Sequence, residues 1–176
     1  DFCLGDTGAM LGHSPPAVVK ALVDHGSDGF TTMMPSPDAA IVGELLGDRF
    51  GLPFWQVTAT ASDANRSVIL WCRAITGRKK ILVINGCYHG AVDETFVALD
   101  NGKQVSDPAL IGEPRDLSEL AKVVEFNDIP ALEAALADGD IACVLAEPVM
   151  TNVGMVLPHE GYHERLRACT RKSGTL

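Results

Sequence analysis

Residues 81–84, Ile-Leu-Val-Ile, are apolar at every position. A strand with one face in water alternates apolar and polar side chains, so an unbroken apolar run this short calls for cover on both faces. Residues 123–126 and 141–149 read as further strands, apolar apart from Glu125 and Glu147. Between these runs the period becomes helical. Ser62-Asp63 opens one helix, with Ala64, Val68, Ile69, Cys72 and Ile75 on a single face. Gly77 ends it, and Arg78, Lys79 and Lys80 follow where a helix C-terminus favours cations. Asn127, Asp128 and Pro130 open a second helix through Ala137, and residues 160–174 make a third. Apolar strands alternating with helices predict an α/β fold, a mostly parallel sheet with helices on both faces.

Upstream, Ser14-Pro15-Pro16 and Ser36-Pro37 read as N-caps followed by Pro in the first turn, with Gly26 and Gly51 as stops. Residues 53–61 fit a strand running into a turn, and residues 100–118, rich in Gly, Pro, Asn and Asp, read as a long excursion. After Gly174, Thr175-Leu176 reads as the start of another strand. With no starting Met and a strand opening at its end, the chain is expected to be an internal piece of a longer protein.

The bulk numbers narrow the function classes. The chain has 176 residues, is 47% hydrophobic and carries a net charge of −9, with 15 of its 23 acids in residues 89–176. No basic stripe exists, so a nucleic-acid partner is not expected. No apolar stretch approaches a membrane span, so no membrane partner is expected either. Five widely spaced cysteines without a CxxC pair argue against a disulfide framework or a metal cluster, and a reduced, cytoplasmic setting is the default.

In parallel α/β sheets, ligands gather at the carboxyl ends of the strands. Three stretches fall there: 58–63, 85–90 and 147–154. In the first, the free N–H groups of the helix that starts near Ser62 favour a phosphate, and Thr60 and Ser62 add hydroxyls; an ordinary Ser cap is the plainer reading. In the second, Cys87 is a candidate nucleophile without a recognisable base, and His89 a candidate metal ligand without partners. Tyr88 is a platform for a flat heterocycle, or a structural loop residue. In the third, Glu147 ends an apolar run, where a carboxylate must be paired or must face a site. Asn152 follows in the loop before Gly154 and could equally be a turn residue.

Taken in order, "DFCLGDTGAMLGHSPP", "TASDAN", "GRKKILVINGCYHG" and "EPVMTNVGMVLP" resemble the class III (subgroup II) aminotransferases of the pyridoxal-phosphate fold type I superfamily. The resemblance runs along all 176 residues. It implies an incomplete fold type I large domain, with residues 1–37 as an N-terminal segment leading into it and residues 38–176 as part of the cofactor-binding domain. It implies pyridoxal 5′-phosphate as cofactor. Tyr88 would stack on its ring; Ala61 and Ser62, with Thr60, would hold its phosphate; Asn152 would lie beside the ring's 3′-oxygen; Glu147 and His89 would support the site. Cys87 would have no chemical role. The Schiff-base Lys and the Asp that pairs with the pyridine nitrogen would follow Leu176, so no catalytic residue is assigned within the chain.

The activity implied is transamination between an amine or amino acid and a keto acid or aldehyde, by a homodimer. An aminomutase or racemase of the same fold is the alternative within the superfamily. Asn152 is the aminomutase-like choice, where ω-amino-acid transaminases often carry Glu, yet the aminomutase's early Trp is missing from residues 4–10. Outside the superfamily, the alternative is a non-catalytic protein that binds a phosphate-bearing ligand.

Overall fold

The computed structural model describes residues 1–31, 33–108, 110–112 and 116–176. The chain divides into two compact units, Asp1–Trp55 and Gln56–Leu176. The boundary expected at 37/38 falls inside the first unit, at the start of its second helix.

The first unit holds two helices, α1 (Pro16–His25) and α2 (Pro37–Phe50). Both start with Pro in the first turn, where its missing N–H costs nothing. The cap of α1 is Pro15, not the expected Ser14, and neither Pro15 nor Ser36 makes a side-chain cap bond. Gly51 ends α2 at φ +69°, a left-handed stop that suits Gly. Neither helix has a buried residue.

The stretch expected as a strand at 53–61 crosses the boundary between the units and pairs with no strand among the described residues. Its polar groups turn inward on the chain: Thr58 Oγ1 donates to Thr60 O (2.8 Å) and Gln56 Nε2 to Val57 O (3.0 Å). Helix α3 (Ala61–Thr76) follows, capped by Thr60 instead of Ser62. Strands β1 (Lys80–Ile84), β4 (Ala121–Val124) and β5 (Ile141–Leu145) form a parallel sheet in the order β4-β1-β5. Helix α4 (Ile129–Ala137), capped by Asp128, links β4 to β5. Helix α5 (Tyr162–Ser173) follows β5, and Gly174 ends it at φ +67°. Leu176 then exchanges hydrogen bonds with β5, donating to Ala142 O (3.1 Å) and accepting from Val144 N (2.9 Å), so the expected strand start does join the sheet.

The sheet is covered on both faces. Ile81, Val83, Val123 and Cys143 pack with Ile69 and Cys72 of α3 on one side. Leu82, Ile84, Val124 and Ile141 pack with Leu132 and Leu136 of α4 on the other. A bulge lets Ala142 share a side with Cys143: the pairing steps from Lys80–Ile141 to Ile81–Cys143.

The excursion expected over 100–118 begins inside a hairpin of antiparallel strands, β2 (Val97–Asp100) and β3 (Lys103–Ser106). Its two-residue turn, Asn101-Gly102, has φ of +49° and +76°, the conformation that Asn-Gly favours between twisted strands. Gln104 from this hairpin seals the edge of β4: its amide donates to Ala121 O (2.8 Å) and accepts from Val123 N (3.0 Å), as a neighbouring strand would. The part of the excursion at 109 and 113–115 lies outside the described residues.

Candidate functional site

The carboxyl ends of β1 and β5 and the N-terminus of α3 meet at one edge of the sheet. Helix α3 buries only part of the expected face, with Ala64 half-buried. Ile69 and Cys72 are buried, but Val68 and Ile75 are exposed. Ser62 and Asn65 share the half-buried side with them. Hydrogen bonds to the loop after β1 set this rotation. Asn65 Nδ2 donates to His89 O (2.9 Å), Ser62 Oγ accepts from Ala91 N (2.9 Å), and Arg66 donates to Ala91 O (2.6 Å). The approach requires Gly90. At φ +79°, a Cβ there would lie 2.3 Å from Ser62 Oγ.

The first turn of α3 keeps its donors. Thr60 Oγ1 accepts from Asp63 N (3.1 Å) and donates to the Asp63 carboxylate (2.8 Å), so this hydroxyl is spent on the cap. The N–H groups of Ala61 and Ser62 have no partner within a helix. The Ser62 hydroxyl accepts from Ala91 and retains its own proton to donate.

Tyr88 stands on the adjoining loop with its side chain turned outward, 63% exposed. Its neighbours go inward. His89 is 7% exposed, and its Nε2 is buried without a hydrogen-bond partner among the described residues. Burial lowers its pKa, and the charge of Glu147 offsets this only in part, so the ring is neutral near pH 7. Burial pushes the Cys87 thiol up to about 11, which leaves almost no thiolate at neutral pH and disfavours a nucleophilic role.

Strand β5 was expected to run to 149 but ends at Leu145. Pro148 has no N–H for a ladder, and Glu147 turns back on its own loop. Glu147 Oε1 accepts from Thr151 N (3.2 Å) and Thr151 Oγ1 (2.5 Å). Burial raises the Glu147 carboxyl. The Thr151 hydroxyl, the Cys87 thiol and the N–H groups of Tyr88 and Thr151 outweigh it and hold the pKa below the ordinary value. Asn152 Nδ2 donates to Gly86 O (3.2 Å), so this loop holds the one that carries Tyr88.

Ser62 is thus joined directly to the Tyr88 loop, and Asn152 and Glu147 reach the same loop from the other side. Gly86, Asn65, Arg66 and Thr151 do as much of this joining and were passed over in the sequence. Only the glycines flanking Cys87-Tyr88-His89 signalled a close approach there. Among the described residues no group of three or more His, Cys, Asp or Glu could hold a metal ion, and no helix is long and apolar enough to cross a membrane.

A helix N-terminus and an aromatic loop meet at the carboxyl edge of a parallel α/β sheet, and comparison with known proteins gives the family. The profile described as aminotransferase class-III matches residues 1–176, and the chain belongs to that family. Its fold is that of the pyridoxal-phosphate fold type I aminotransferases.

The chain is similar to a glutamate-1-semialdehyde-aminomutase from Pseudomonas aeruginosa PAO1, at 50% identity and a TM-score of 0.96 over 99% of this chain and 39% of that one. A variant of that protein is known in complex with PMP. An omega-transaminase from Sphaerobacter thermophilus is similar at 29% identity and a TM-score of 0.89, over 100% of this chain and 42% of that one. In sequence, the chain is 33% identical to the glutamate-1-semialdehyde 2,1-aminomutase of Anaeromyxobacter sp. (strain Fw109-5), over all of this chain and 42% of that protein. The chain therefore spans about two fifths of the length of the relatives it matches.

Proposed function

We propose that this protein binds pyridoxal 5′-phosphate at the edge formed by α3, the 85–91 loop and the 147–156 loop, and uses it to move an amino group between an amine or amino acid and a keto acid or aldehyde. The observation that carries this reading is the contact of Gly90 and Ala91 with Ser62, which brings an open helix N-terminus and the exposed ring of Tyr88 together. The residues present fit the group. The Ala61 and Ser62 N–H groups and the Ser62 hydroxyl are donors for a phosphate, aided by the dipole of α3. Thr60 fixes the start of that helix. Tyr88 offers a face for the ring. Asn152 keeps its side-chain oxygen and one amide proton for a ligand while its other proton holds Gly86 O. His89, buried, and Glu147, half-buried, lie behind Tyr88 and Asn152 as support. When bound, the cofactor supplies an electron sink for breaking a bond at the amino-bearing carbon.

A second reading, an aminomutase, is favoured by the 50% identity to the Pseudomonas aeruginosa protein. The two differ in stoichiometry: a mutase returns the amino group to the same substrate, whereas a transaminase needs a separate acceptor. The test is to supply the complete protein with pyridoxal phosphate and follow turnover of glutamate 1-semialdehyde alone, and of an amine with a keto acid. Turnover that needs both partners supports transamination; turnover of the semialdehyde alone supports the mutase. A fully active protein that contains no pyridoxal phosphate and ignores its addition contradicts both. The reading includes a homodimer, for which mass measurement in solution is the check.

A further inference from the structure

The loop after β1 carries Tyr88 but makes little of its own support. Asn85 N donates to Val124 O (2.8 Å) at its start, and the contacts of His89, Gly90 and Ala91 with α3 hold its end. Its middle, Gly86 to Tyr88, leans on the loop after β5. A Cβ on Gly86 would meet Val153 Cγ1 at 3.1 Å and Met150 Cε at 3.3 Å, and Gly86 O accepts from Asn152 Nδ2 at 3.2 Å. The β5 loop is held in turn by the Met150–Val156 pair (3.1 and 3.0 Å) and by Glu147, which takes both donors of Thr151, the residue before Asn152.

We propose that Glu147 is a positioning residue: through Thr151, Asn152 and Gly86 it holds the two loops in one arrangement, so that Tyr88 and Asn152 are set for the same ligand before that ligand arrives. Glu147 itself contacts no ligand. Cys87 and Tyr88 of the first loop lie close to its carboxylate and help to hold its pKa down. Removing this acceptor leaves both Thr151 donors without their partner.

The identity of the ligand rests on the function proposed above; the coupling of the loops does not. The test therefore uses two readouts on the complete protein. In the cofactor-free form, Glu147→Ala should speed amide exchange at 86–91 and 151–156 together, by about tenfold or more, while 121–124 and 129–137 stay protected. Pyridoxal phosphate should then bind about tenfold more weakly. Glu147→Gln, which keeps an acceptor for Thr151, should recover most of both effects, and Thr151→Val should reproduce the loop effect at smaller size. Unchanged exchange in the two loops, or exchange rising equally throughout the sheet, would overturn the proposal. So would a Gln variant as impaired as Ala, because the charge would then be acting on the ligand directly. Wild-type loops that are coupled in this way in a protein that does not bind pyridoxal phosphate would uphold the positioning and end the cofactor reading.

Discussion

Helices α2 and α3 are specified by similar local signals and end on left-handed glycines, Gly51 and Gly77, yet they are buried very differently. In α2 the apolar residues Ile41, Leu45 and Phe50 are exposed and Leu46 is only half-buried, whereas α3 buries Ile69 and Cys72 against the sheet. Start and stop signals act over one turn and need no partner. Burial needs a second surface. Within the second unit that surface is the sheet, and the donors and acceptors of the β1 loop choose which side of α3 meets it. Helices of 10 and 14 residues, such as α1 and α2, are marginal in water without such packing.

The largest expected effect tests this contrast in the 176-residue chain. Leu82 is 0% exposed, and Leu82→Ala should cost about 2–5 kcal/mol of stability in urea unfolding. Leu45 is 64% exposed, and Leu45→Ala should change stability by about 0.5 kcal/mol or less. Equal costs at the two positions would break the comparison.

Next in size is a pair of glycines. Gly90→Ala forces both a strained φ and a clash with Ser62 Oγ, and should cost about 1–3 kcal/mol and weaken pyridoxal phosphate binding. Gly51→Ala has open space around it, should cost about 1 kcal/mol and should leave binding unchanged. Calorimetric melting with a cofactor titration reads both. A Gly90→Ala protein that binds normally would mean that the close approach to α3 does not shape the site.

A smaller effect concerns pH. The folded pKa of His89 lies below its ordinary 6.5, so the unfolded chain binds the proton first. The stability contributed by burying the neutral ring is therefore full above about pH 6.5 and is lost as pH falls through that value. The lowered Glu147 carboxyl contributes in the same direction at more acidic pH, its share being lost as pH falls below 4.5. Between pH 7.5 and 5.5 the melting temperature should fall, and His89→Gln should flatten that slope. An unchanged slope in the variant would show that another group titrates.

Much of the second unit was legible because its strands are apolar throughout and its helices carry local punctuation. The sheet, α4 and α5 follow from that alone. Where the sequence misled, tertiary hydrogen bonds had overruled a local pattern. Residues 53–61 have strand-like composition but no paired strand among the described residues. The buried side of α3 carries Ser62 and Asn65, which no apolar periodicity would select. Strand β5 stops early because Glu147 and Pro148 break its ladder. The Asn101-Gly102 turn was a local signal, but the flanking Pro, Gly and Asp residues hid it. In the site, Ser62, Tyr88 and Asn152 stood out by residue type and place. Gly86 and Thr151 did not: Gly86 acts through a contact with Asn152, 66 residues away, and Thr151 through the turn it makes with Glu147.

On the proposed function, Tyr88, set by its loops, is a face for the ring of pyridoxal phosphate, while the neighbouring thiol is inert. Equilibrium titration of pyridoxal phosphate into the complete protein and its Tyr88→Ala and Cys87→Ala variants tests this most directly. Loss of stacking should remove about 0.5–1.5 kcal/mol, a severalfold to roughly tenfold weaker affinity for Tyr88→Ala, with Cys87→Ala close to wild type. Unchanged affinity in Tyr88→Ala together with loss of activity in Cys87→Ala would contradict the claim and return the site to the thiol.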